Sequence, residues 1–388
     1  MPQGLLPSHF SSEHPHQRYL DNKPSFLTRL KRRFFYVLDG NPRRLKSISL
    51  LLLTVCIAFY LVFFAFVNDA VIEEAPNIVL PDSLLEKRVD FKRVTIDKIC
   101  SESTSVCYSV IDEKTDENTV LRHLSFDNGL PEEYDTSVIL IPPSGETFDS
   151  SDTRIWNIDH RKISSQYVAG MFITPFMLSL LPTEGPAGNK SMLEIGLGGG
   201  SLDMAMHTAL PDVNITGVEL DPVVIKIAEK WFGVAGNDRH RMVAADGVQF
   251  VSDMRKRQET TDIVVVDACG GDVDITCPSE GFRTRDAVEN LMSILNPSGI
   301  LIVNVLAHDE KEANPVNVQK AVAAYTDVFP ACLQLKMTNE LNVILACLTQ
   351  SIGDVEEQLK FYSKRLDAAV TTFKLEYILG NVSLSKTY

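Results

Sequence analysis

The run Gly196-Leu197-Gly198-Gly199-Gly200-Ser201 spaces glycines as G-x-G-x-G. Glycine lets a backbone take left-handed dihedrals and come into contact with a ligand. Between a strand and a helix, such a loop also offers the ligand the free N–H groups of the helix start. The apolar run before it carries Glu194, two residues ahead of Gly196. Roughly twenty residues later, where nucleoside folds place a ribose-binding acid, Gly217-Val218-Glu219-Leu220-Asp221 ends a second run. A carboxylate at Glu219 can accept both ribose hydroxyls. Ala245-Asp246-Gly247 follows a third run, placing Asp246 to accept an adenine amino group and Gly247 at the next helix start. A fourth run, DIVVVDA, contains Asp267, at the carboxyl edge where ligands of such sheets lie. The expected cofactor-binding set is Glu194, Gly196, Gly198, Gly200, Glu219, Asp246, Gly247 and Asp267. The loop and Glu219 specify an adenosine-bearing ligand. Asp246 and Asp267 move the choice from a dinucleotide towards S-adenosylmethionine.

These residues need a framework, and the hydropathy pattern supplies one. From residue 91 the runs RVTIDKIC, SVCYSVIDE, TVLRHLSF and TSVILIP alternate with period two, which predicts a small antiparallel β lobe. Apolar positions three and four apart predict a helix over Ile163–Leu181. Strand and helix then alternate: MLEIG, SLDMAMHTAL, NITGVEL, PVVIKIAEKWF, RMVAAD, VQFVSDMRK, DIVVVDA, RDAVENLMSIL, GILIVNVL and VNVQKAVAAYTDVF. CLQLKM and NVILACL predict a terminal antiparallel pair, and Val355–Val370 a last amphipathic helix. The fold expected is α/β, a doubly wound Rossmann-like sheet preceded by the β lobe.

Outside this body the chain changes character. Residues 1–47 hold nine Lys/Arg against three acids, although the whole chain has a formal charge of −14. An acidic body argues against non-specific nucleic-acid binding, which requires a basic face. Ile48–Val67 reads ISLLLLTVCIAFYLVFFAFV without a charge, close to the ~20 residues that cross a bilayer. The basic flank predicts a type II signal anchor with a cytosolic N-terminus and a lumenal body, in the endomembrane system or at the cell surface. Domains are therefore expected as 1–47 basic tail, 48–67 transmembrane helix, 68–90 stem, 91–158 β lobe and 159–388 Rossmann-like domain. Six cysteines beyond the anchor fall into the sequence-local pairs Cys100/Cys107, Cys269/Cys277 and Cys332/Cys347. That even number suits an oxidising compartment, while the pairing stays open. None has zinc-site spacing, so no metal is expected. Sequons at Asn189, Asn214 and Asn381 agree with a lumenal glycoprotein.

The combination resembles a known family. Gly196–Leu202, Val218-Glu219-Leu220-Asp221-Pro222, Trp231-Phe232-Gly233, Asp246-Gly247, Asp267, Cys277-Pro278 and Asn339-Glu340-Leu341-Asn342 are similar to the spermidine synthase fold. That fold joins a small β lobe to a class I methyltransferase-type domain. The nearest likeness is to the carboxy-terminal domain of elongation-factor lysine and N-terminal methyltransferases. Two departures bear on the reaction. Aminopropyltransferases carry an Asp in the glycine loop, here Gly199, and an Asp-Ser-Ser-Asp type motif, here Asp267-Ala268-Cys269-Gly270. The aligned base that would deprotonate an attacking amine is absent. The resemblance therefore implies methyl transfer from S-adenosylmethionine, with Asp267, His160 and Tyr167 as candidate catalytic residues. The alternatives are a non-catalytic scaffold, and a polyamine synthase using a displaced base such as Asp272, Asp274 or Glu280. The methyl acceptor, whether protein, glycan or small amine, and a homodimeric state stay open.

Overall fold

A computed structural model describes residues 92–387, apart from 116–118, 127–133, 309–314 and 339. The expected tail, anchor and stem lie outside the described residues. Among the described residues, no helix is long and apolar enough to cross a membrane.

Five strands make an antiparallel sheet in sequence order: β1 Arg93–Cys100, β2 Cys107–Lys114, β3 Val120–Phe126, β4 Thr136–Ile141 and β5 Asn157–Ile163. The first four are the predicted alternating runs. The fifth, NIDHRKI, is too polar to show in the pattern and forms through its pairing with β4. The expected boundary between residues 158 and 159 falls inside this strand. Helix α1, Gln166–Met177, then enters the core with Val168–Met177 all buried. It stops short of Leu181, because the N–H groups of Leu180 and Leu181 turn back to the Pro175 carbonyl.

The main sheet contains β6 Ser191–Ile195, β7 Asn214–Glu219, β8 His240–Ala244, β9 Thr261–Val266, β10 Ile275–Cys277, β11 Leu295–Ala307, β12 Ala331–Met337, β13 Val343–Leu348 and β14 Val382–Lys386. Its order is β14-β12-β13-β11-β9-β6-β7-β8, with β10 pairing β11 off this path. The run β11-β9-β6-β7-β8 is parallel, as the alternation predicted. Beyond β11 the pairing turns antiparallel, and β14 extends the predicted terminal pair. Every residue of β9 is buried, as expected of a strand covered on both faces.

The intervening helices are α2 Ser201–Ala209, α3 Pro222–Trp231, α4 Gly247–Lys256, α5 Arg285–Ser293, α6 Val316–Thr326, α7 Val355–Phe373 and the short α8 Glu376–Leu379. One core joins α1, α2 and α7 to one sheet face, and a second joins α4, α5 and α6 to the other. Helix α3 faces the small lobe, where Tyr108, Val110, Leu124 and Val138 meet Val224, Ile227 and Phe232. Polar contacts also tie the lobe to the Rossmann part. Arg122 binds Asp112 through two N–H···O bonds of 2.8 and 2.9 Å, and donates to the carbonyls of Thr153 and Trp231. Asp97 accepts from the Trp231 indole at 2.7 Å. Asp221 caps α3 at Val223 and accepts from Ser101, Thr104 and Tyr108. The cysteines pair locally as Cys100–Cys107, Cys269–Cys277 and Cys332–Cys347.

Candidate cofactor and transfer site

The glycine loop lies between β6 and α2, and its backbone leaves no alternative to glycine. Gly196 has φ +92°, and a Cβ there would stand 2.5 Å from the Asp267 carbonyl oxygen. Gly200 occupies the left-handed cap of α2. The Glu219 carboxylate, at the end of β7, accepts from the N–H groups of Leu197 and Gly198 at 3.1 and 3.3 Å. Its other oxygen accepts from Asp221 N–H at 3.0 Å. Glu219 is thereby held under the loop with lone pairs left for further donors, as ribose recognition requires. Asp246 caps α4 by accepting from Gln249 N–H at 3.0 Å, at the carboxyl end of β8. Gly247 abuts Ile195 and Phe282, so a Cβ there would fall 2.4 Å from the Ile195 side chain.

Asp267 follows β9, and its N–H donates to the Ile195 carbonyl. Its carboxylate accepts from the Asn304 amide at 2.6 Å, and Asn304 in turn accepts from Asn342 at 2.7 Å. Both asparagines are buried. Asn342 belongs to the Asn339–Asn342 motif noted in the sequence, and Asn304 was not anticipated. On β11 it reads as one more core position of an apolar run, with nothing to set it apart. Residue 339 itself lies outside the described residues.

Four carboxylates converge here. Glu194 is 2% exposed, and its Oε2 has no hydrogen-bond partner among the described residues. Burial, with Asp203, Asp267 and Glu219 nearby, pushes its carboxyl far above the ordinary range. Burial also raises Glu219. Burial pushes Asp267 up to about 7, with Asp135 adding to the shift. Asp135, from the start of β4, is pushed up to about 6 by burial and by Glu219. Sequence reading missed Asp135, because it reaches the loop across the fold from a different lobe.

Tyr167, at the first turn of α1, joins this group. Burial and then Asp267, Asp135, Glu340 and Glu194 hold its hydroxyl protonated. His160 does not join it. That ring lies on β5 against Gly233, with Asp203, Asp159 and His240 as its charged neighbours. Burial lowers its basicity there. Asp203 and His240 form a fully buried pair at 2.6 Å beneath the loop. Beside Tyr167, a cleft of about 500 Å³ is lined by Tyr134, Ser137, Ser164, Ser165, Gln166, Glu340 and Ile378. Among the described residues, no cluster of His, Cys, Asp and Glu could hold a metal ion.

The raised acids set a pH dependence. Asp267 ionises near 3.9 in an unfolded chain and near 7 in the fold. Between those values the folded state binds more protons, so this residue's contribution to stability falls as pH rises. Buried histidines such as His123 work in the opposite direction below neutrality, so a variant must isolate the effect. Asp267→Asn keeps the acceptor for Asn304 and removes the charge. Its stability relative to the unsubstituted protein should rise from about pH 4 to about pH 7 and level off above that, measured by urea unfolding without ligand. A difference independent of pH would refute the assignment.

A strand-loop-helix glycine cradle, an acid at the end of the second strand and an acid after the fourth are the arrangement on which class I Rossmann-type folds bind nucleosides. Comparison with known proteins narrows the class. Residues 172–354 match the spermine/spermidine synthase domain model. Over 160 residues the chain is 33% identical to an eEF1A lysine and N-terminal methyltransferase homolog of Drosophila pseudoobscura pseudoobscura, covering 41% of this chain and 23% of that protein. Over 189 residues it is 27% identical to a polyamine aminopropyltransferase of Vibrio vulnificus, covering 48% and 59%. The fold is similar to that of a probable spermidine synthase from Corynebacterium glutamicum, with TM-score 0.50 and 14% identity over 69% of this chain and 86% of that one. The chain spans about a quarter of the length of the methyltransferase relative.

Proposed function

We propose that the domain is an S-adenosylmethionine-dependent methyltransferase. The observation carrying this reading is the packing around Gly199. A Cβ at this position would meet Thr136 at 2.7 Å and the Phe232 ring at 2.9 Å. The loop therefore has no room for the acid that aminopropyltransferases carry there. The displaced-base alternative also loses support, since Asp272 is engaged by Arg283 at 2.7 Å. Asp274 and Glu280 are exposed. The name of the methyltransferase relative points the same way.

The residues present fit the cofactor. Gly196, Gly198 and Gly200 form the cradle, Glu219 suits the ribose, Asp246 the adenine, and Glu194 and Asp267 the cationic amino-acid end. S-adenosylmethionine supplies a methyl group already activated by its sulfonium, so the protein's work is positioning. Asn342 and Asn304 fix the Asp267 carboxylate. An acceptor would enter by the cleft lined by Gln166 and Glu340, and Asp267, with a proton affinity near neutrality, can take a proton from it. His160 is assigned no contact with acceptor or cofactor.

The body is further proposed to be the lumenal part of a type II membrane protein anchored by residues 48–67. Three disulfides support an oxidising compartment. Asn189 and Asn381 are exposed, while Asn214 is half-buried in β7. The acceptor class is then a lumenal protein, glycan or amine. Full-length protein, incubated with radiolabelled S-adenosylmethionine and fractionated lumenal and cytosolic extracts, should transfer label to a discrete acceptor. Binding without any transfer would favour the non-catalytic scaffold, and transfer from decarboxylated S-adenosylmethionine to putrescine would restore the polyamine reading.

A further inference from the structure

Asp135 has no role in the reading above, yet its placement is specific. Its N–H donates to the Leu124 carbonyl, which fixes the start of β4. The next residue, Thr136, accepts the Gly199 N–H through its hydroxyl at 2.9 Å. This pair of contacts seats the lobe directly on the loop. A Cβ added to Gly198 would stand 2.9 Å from the Asp135 carboxylate. The carboxylate also lies within electrostatic reach of Glu219 and of Asp267.

What faces Asp135 is all acidic or neutral. Among the described residues, its one side-chain hydrogen bond is a long one from the Thr136 hydroxyl, at 3.4 Å. No Lys or Arg pairs with it among the described residues, and residues 127–133, immediately before it, contain no basic residue. A carboxylate held among other carboxylates is costly unless a cation joins it. Glu194, buried with an unpartnered oxygen in the same group, independently marks a place built for a donor or a cation.

We propose that Asp135 is the cofactor-discriminating residue of the site, its carboxylate facing the sulfonium of the methyl donor. This inference rests on the methyltransferase reading and adds a residue to it. Position selects the sulfonium over the other cations. The ribose is assigned to Glu219 and the amino-acid end to Glu194 and Asp267. The sulfonium is the centre that joins those two parts of the cofactor, and Asp135 is the carboxylate within electrostatic reach of both Glu219 and Asp267. An acceptor ammonium would instead enter from the cleft lined by Gln166 and Glu340. Once the methyl has left, the sulfur is neutral, so the same carboxylate no longer attracts it and product release is favoured.

The test is calorimetry of S-adenosylmethionine and S-adenosylhomocysteine with the full chain and with Asp135→Asn. The asparagine keeps size and the Thr136 contact. Loss of one charge pair in a partly buried site should weaken S-adenosylmethionine about tenfold and S-adenosylhomocysteine less than about twofold. Because the neutral product reports whether the pocket is intact, misfolding of the variant would weaken both ligands together. Equal loss for both ligands would overturn the proposal, as would no loss for either. An unchanged donor affinity with a raised acceptor KM would also overturn it and move Asp135 to the acceptor side. If the unsubstituted protein binds neither ligand, the methyltransferase reading falls and this inference with it.

Discussion

Glu219→Ala should lower the affinity for S-adenosylmethionine about 100-fold, the loss of two hydrogen bonds to a charged group. It should lower S-adenosylhomocysteine by the same factor, because the ribose is common to both. That parallel loss separates Glu219 from Asp135, for which the ligands should diverge. The alanine also strips acceptors from Leu197, Gly198 and Asp221 N–H groups. The variant should therefore melt somewhat lower without ligand, as those donors lie in a part-buried loop. Calorimetry with both ligands, beside a thermal melt, measures the two effects. A change below about threefold, less than one such bond is worth, would remove Glu219 from the site.

The largest loss of stability is expected far from that carboxylate. Arg122 is 2% exposed and Asp112 fully buried, and their bidentate pair is completed by two backbone carbonyls and by the Trp231 ring, 5.4 Å from the guanidinium. Arg122→Ala leaves Asp112 buried and uncompensated, which typically costs about 3–5 kcal/mol. For a fold of this size that corresponds to a drop in Tm on the order of 10 °C. Removing the charge at both ends, as in Asp112→Leu with Arg122→Met, should recover much of the loss, because the desolvation penalty disappears with the pair. A single-variant loss below about 1 kcal/mol, the scale of an exposed ion pair, would show that the pair is solvated in solution.

These two residues also illustrate what a sequence can reveal. The position of Glu219 beside the glycine loop was legible because it rests on a local pattern: a strand, an acid at its end and a glycine loop at fixed spacing. The same holds for β6 to β9, whose apolar runs declare buried parallel strands. Arg122 was invisible in TVLRHLSF, where a charge within an alternating strand looks like its solvated side. Its burial depends on Asp112, ten residues away, and on Trp231 in another lobe. Asp135 and Asn304 escaped for the same reason, since each meets its partners only after the sheets assemble. The strands β5, β10 and β14 are short or polar and owe their form to a paired neighbour. His160 misled by its nearness in sequence to Tyr167. Seven positions along the chain separate a strand residue beside Gly233 from a helix residue beside Asp267.

The contact of Asp221 with Ser101, Thr104 and Tyr108 bears on where this protein can be cut. The family match begins at residue 172, inside α1, yet the cap of α3 is completed by hydroxyls some 110 to 120 positions earlier. An expressed fragment trimmed to the matched stretch would leave the Asp221 carboxylate without those three donors. It would also uncover Phe232 and strip the Gly199 N–H of its acceptor. The smallest piece worth producing therefore starts before Arg93. Sequence similarity alone would place the scissors some eighty residues too late.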